Sequence, residues 1–208
     1  MVSSCLAKVV YSDVRHNFLL HYLAAIIALA VTPVIFGLSE LNEKMAAQPL
    51  EIMSPIFGMI LMTPIFLPEQ NESISDVVRS KKTSHILVCF LRLLCSLLLT
   101  IALVGILALY MRYNDSKVTA RLFAGAIGGA LALGSLGFFS SAVGDNAVIG
   151  YMVSASYLLM NMILREKLWI FDMFSFSEGK TEINSWLYLS ALVLIVLALL
   201  FRKYIKSN

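Results

Sequence analysis

Six apolar runs, separated by short polar breaks, organise the chain: about 18–38, 50–67, 86–111, 119–143, 147–164 and 186–201. Each approaches the roughly 20 residues that a helix needs to cross a bilayer core. The stretch from Thr119 to Leu164 is too long for one tilted helix. Gly144-Asp145-Asn146 is the only polar turn signal inside it, which predicts a tight antiparallel pair. The pattern therefore predicts an all-α, polytopic membrane protein with six transmembrane helices, forming one transmembrane unit over residues 1–208.

The segments between the runs carry their own periodicity. Leu6, Val9, Val10, Val14 and Phe18 recur at helical spacing among Lys8, Ser12, Asp13 and Arg15. That suits an amphipathic helix over about Leu6–Asn17 lying in the interface, or else a frayed extension of the first span. Pro64 and Pro68 mark the kink and end of the second span. After them, Ser73 with Asp76 three residues on resembles a capping box, and Ile74, Val77 and Val78 share one face of a short helix. Such a helix either docks a soluble partner through its apolar face or lies on headgroups through Arg79, Lys81 and Lys82. The outer segment Arg165–Ser185 is too aromatic for a free loop (Trp169, Phe171, Phe174, Phe176), which predicts an interfacial or re-entrant element.

Composition narrows the class. The chain is 59% hydrophobic and 14% charged, against roughly 25% charged for soluble domains. Mean hydropathy is +0.83. Six spans leave no stretch of about 50 residues for a separate domain, so nucleotide chemistry would have to come from another polypeptide. A net charge of +3 is too small for a nucleic-acid surface. Lys8, Asp13 and Arg15 precede the first apolar run, so the N-terminus does not read as a cleavable signal peptide. Cys5, Cys89 and Cys95 are an odd set without a CxxC pair, consistent with reduced thiols. Basic residues favour both termini inside: Lys8, Arg15, Arg79, Lys81, Lys82, Arg202, Lys203 and Lys206 would be cytoplasmic.

No catalytic pattern emerges. HExxH, GxSxG and GxxxxGK[ST] are absent, and His16, His21 and His85 are scattered. No cofactor or metal is implied. Paired acids inside the predicted spans are missing, and Arg92 is the one charge well within a span. It is there to be paired or functional, or it snorkels to the headgroups. Gly125 and Gly129 form a GxxxG pair in a fourth span rich in small residues, with Gly134 and Gly137 following. These let helices approach closely, either within the chain or at a dimer seam.

The order of these parts resembles the permease subunits of type-2 ATP-binding-cassette (ABC) transporters, mostly bacterial exporters. Phe66-Leu67-Pro68-Glu69-Gln70 leading into Ile74–Lys82, and Gly150-Tyr151 with Asn161, are the local pieces that carry the resemblance. It implies a cytoplasmic ATPase docking on Glu69, Glu72, Ile74, Asp76, Val77, Val78 and Arg79, and a second permease subunit, identical or homologous. It also implies a pathway for an amphipathic or apolar cargo, lined by the first, second and fifth spans. Met53, Phe57, Tyr151 and Asn161 are its candidate residues. The competing readings are a non-transporting membrane scaffold and a secondary transporter.

Overall fold

A computed structural model describes residues 17–70, 85–164, 171–179 and 183–207. Within them the chain is helical and holds six helices long and apolar enough to cross a membrane. They are α1 (Leu19–Phe36), α2 (Glu43–Met62), α3 (His85–Tyr113), α4 (Ala120–Gly144), α5 (Ala147–Leu164) and α6 (Ser185–Ser207). A 3-10 segment, Thr63–Gln70, continues α2. The interfacial helix expected before the first span and residues 71–84, which hold most of the expected docking helix, lie outside the described residues. Of that docking set only Glu69 falls inside, through its backbone in the 3-10 segment.

Helix α2 starts at Glu43, seven residues before the apolar run. Asn42 in extended conformation precedes it, and Glu43 places a carboxylate at the positive end of the helix dipole. The polar residues that interrupt the run, Lys44 and Gln48, are exposed, whereas Ala46, Ala47, Pro49 and Leu50 are buried. A one-sided helix start escapes a reading based on continuous hydropathy. At the other boundaries the helices lie within a few residues of the expected spans, except that α6 continues past Phe201 to Ser207.

The pivot of the bundle is α4, which packs most extensively on α2 and then on α6 and α5. Its small residues explain why. A Cβ on Gly58 of α2 would overlap the Ala130 carbonyl of α4, so the two backbones are in direct contact. Gly134 faces Met62 and the Gly58 carbonyl, and Gly137 faces Thr63 and Ser154. Gly129 lies against Pro55 and Gly125 against the Phe176 ring. All four glycines singled out by spacing thus meet neighbours of the same chain. Without a hydrophobic drive between helices in lipid, this close van der Waals contact holds the bundle.

Short turns join α1 to α2, α3 to α4 and α4 to α5. At one end, α1 stops at Gly37, whose φ of 57° is left-handed and whose N–H bonds the Pro33 carbonyl. The loop that follows pairs with the α3–α4 loop: Glu40 N–H donates to Asn114 O (2.9 Å) and Lys117 N–H to Leu41 O (2.9 Å). Ser116 Oγ accepts from Leu41 N–H and donates to Leu38 O, closing a clasp between the two loops. At the opposite end, Asp145 caps α4 in the left-handed region, and Asn146 Oδ1 accepts from Val148 N–H at the start of α5. The predicted tight turn is thereby accounted for by its own two polar residues.

Candidate functional site

The segment Phe171–Gly179, between α5 and α6, has no helix to satisfy its backbone. It is nevertheless deeply covered: Asp172, Met173, Phe174, Ser175 and Phe176 are all buried. Irregular backbone at membrane depth is tolerated only where protein supplies the missing partners, and here side chains from two helices do so. Glu51 of α2 accepts from Phe176 N–H through Oε1 (2.7 Å) and from Ser177 N–H through Oε2 (3.0 Å). Asn161 of α5 accepts from Met173 N–H (3.1 Å) and donates to Tyr157 O (3.2 Å). Tyr157 OH donates to Phe171 O (2.9 Å). Within the segment, Asp172 Oδ1 accepts from Phe174 N–H (2.8 Å), and Asn184 Nδ2 donates to Asp172 O (3.3 Å). The aromatic stretch is thus a buried plug seated on α2, α4 and α5.

Glu51 corrects the expectation that Arg92 is the only charge inside a span. It lies eight residues into α2, about 12 Å from the helix start at 1.5 Å per residue, and is 2% exposed. Its position was concealed because it falls at the edge of the apolar run. The signal that could have found it is the stripe Ala47, Glu51, Ser54, Pro55, Gly58 and Met62 at three- and four-residue spacing. Those residues are buried together, so the acid shares the face that meets α4 and the plug.

The energetics decide what Glu51 does. Held as a carboxylate, Glu51 would gain about 3–6 kcal/mol from its two hydrogen bonds together. Burying a charge without a cation costs several kcal/mol even after relaxation. The terms nearly cancel, so Glu51 adds little net stability and instead fixes where the plug sits. Glu51, Asp172, Ser175 and Asn184 line a cavity of about 10 Å³ together with Gly125, Met173, Phe176 and Leu187. That is room for one water at most. Among the described residues no three His, Cys, Asp or Glu side chains gather as metal ligands.

The candidate pathway residues separate into two kinds. Met53 and Phe57 belong to the core formed by α1, α2, α3 and α4, with Phe57 fully buried. Their side chains fill the interior of the chain. Tyr151 is half-buried and donates to Ile60 O at 3.2 Å, tying α5 to α2. Asn161 is fully buried and holds the plug. Of the four, only Asn161 meets the polar site, through a contact no local pattern announces. Arg92 is buried, beside Cys89 and Leu93 at the end of the bundle away from the plug.

A different polar centre occupies that end. Arg202 of α6 is 6% exposed. Its Nη2 lies 2.6 Å from Asp145 Oδ1, and its guanidinium carbon is 4.6 Å from the centre of the Phe66 ring. Phe66 in turn stacks on Phe138 of α4 at 4.7 Å. Sequence reasoning placed Arg202 only as an inside-positive charge at the end of the last span.

Searched against known proteins, the chain matches no family model, no curated protein and no solved structure.

Proposed function

We propose that this chain is the membrane-spanning permease subunit of an ATP-driven exporter of the type-2 ABC kind. The observation that carries the reading is the plug before the last helix in a six-helix bundle. The type-2 resemblance also implies an outer aromatic element before the last span, over Leu168–Phe176; the plug stands there, and two buried polar side chains from other helices are committed to it. Six crossings put both chain ends on one side, which the distribution of Lys and Arg favours as the cytoplasm; a bacterial plasma membrane is what the resemblance implies. A soluble ATPase would dock on Glu69–Lys82, and a second permease, identical or homologous, would complete the pathway.

The buried positions of Met53 and Phe57 bear on where cargo passes. With α2 packed backbone-to-backbone on α4, the interior of one chain is filled. The pathway in this reading runs between two subunits, and an amphipathic or apolar molecule is the cargo that such apolar walls accept. The filled interior also favours a second reading, a scaffold subunit that assembles others and transports nothing. Mild-detergent purification from the native host separates them. The permease reading predicts a stoichiometric soluble ATPase that is lost when Ile74, Val77 and Val78 are changed to Asp. An intact complex containing no ATPase sinks it and leaves the scaffold.

A further inference from the structure

The centre at Arg202 is not used by the plug, the clasp or the proposed pathway. One guanidinium there touches two separate parts of the chain, and reaches a third through a ring. Phe66 lies on the 3-10 exit of α2, four residues before the last described residue of that segment. Asp145 is the left-handed residue of the α4–α5 turn. Phe138, against which Phe66 stacks, belongs to α4. Around them Cys89, Leu93, Ala142 and Ala198 complete a buried cluster, so α3 and α6 close on the same point.

Stability alone is a poor reason for an arginine here. Its Nε is buried and has no hydrogen-bond acceptor, and Asp145 is 71% exposed, so the ion pair is largely screened by solvent. An apolar side chain would fill the same space without an unsatisfied donor. What an apolar side chain could not do is join a ring face and a carboxylate at once, which needs a planar cation.

We propose that Arg202 is a positioning residue for coupling. It holds the exit of α2 and the α4–α5 turn in one register, so that displacement of the chain leaving α2 is passed to α4 and α5. The proposal rests on the permease reading, because the residues that follow Gln70 are where the ATPase would dock. It adds the route by which movement leaves that point: Phe66 to Arg202, then Asp145 to the start of α5.

The test uses the full-length chain purified with its ATPase in proteoliposomes. Cys5, Cys89 and Cys95 are replaced by Ala, and Asn146→Cys serves as the only thiol. The rate of its modification by a hydrophilic maleimide is followed with and without Mg-ATP and vanadate. The rate is expected to change on trapping with Arg202 present. Arg202→Gln should keep the ATPase stoichiometry and lose at least 90% of that change, and Arg202→Lys should restore part of it. A merely structural residue would alter yield or melting and leave the nucleotide-dependent change in place. Full response in Arg202→Gln overturns the proposal while the permease reading stands. Should Arg202→Gln fail to assemble, Phe66→Leu removes the ring and keeps the ion pair. The same loss is expected there, and a full response again overturns the proposal. If the chain with Arg202 carries no ATPase at all, the permease reading falls and this proposal with it.

Discussion

The plug end and the Arg202 end of the bundle face the same difficulty, a chain that must turn at the membrane surface, and meet it in opposite ways. At the plug end the connection packs against the helices, so its main-chain groups need acceptors and donors from elsewhere: Glu51, Asn161, Tyr157 and Asn184. At the Arg202 end the α4–α5 connection is too short to fold anywhere. Asp145 and Asn146 shape it locally, and the long-range contacts are a ring stack, a cation over it and that cation's ion pair with the exposed Asp145. Length thus decides the chemistry. A long apolar connection recruits hydrogen-bonding side chains from distant helices, whereas a two-residue turn frees its surroundings for side-chain packing.

Four substitutions break or sharpen that comparison. Glu51→Ala strands the Phe176 and Ser177 amides and should cost about 3–5 kcal/mol in an unfolding titration in mixed micelles, from roughly 1–3 for each buried donor left unsatisfied. Glu51→Gln, which keeps one acceptor oxygen, should cost about half as much by the same measure. Between the two ends, Gly58→Ala drives a methyl into the Ala130 carbonyl and should cost about 2–3 kcal/mol. At the other end, Asp145→Asn should cost only about 0.5 kcal/mol, an effect that fades in high salt because the carboxylate is exposed. Gly105→Ala is the control: it lies inside α3 with nothing near its Cβ position, and should not destabilise, gaining up to about 1 kcal/mol instead. Equal costs at Glu51 and Asp145 would remove the distinction between the ends.

The six helices were legible because lipid imposes one rule on every crossing, a continuous apolar run, and that rule is local in sequence. The α4–α5 turn was legible for the same reason, since Asp145 and Asn146 act on their own neighbours. Gly125, Gly129, Gly134 and Gly137 were visible as a small-residue pattern, but which helices they meet depends on the whole bundle. Glu51 was hidden by position, one residue inside the expected start of the second span, and its donors are 125 and 126 residues away. Arg202 was hidden in a group of basic residues, Arg202, Lys203 and Lys206, whose summed charge says nothing about the one that turns inward over a ring.

The comparison stands or falls on Glu51 as the residue that seats the plug. The most direct measurement places a single cysteine at Ser175, which is 7% exposed, after Cys5, Cys89 and Cys95 are replaced by Ala. Its reaction with a hydrophilic maleimide is then timed with Glu51 and with Glu51→Ala. Slow labelling that accelerates tenfold or more on loss of the carboxylate is the predicted result. Equal rates in the two proteins would mean that the plug is seated without Glu51.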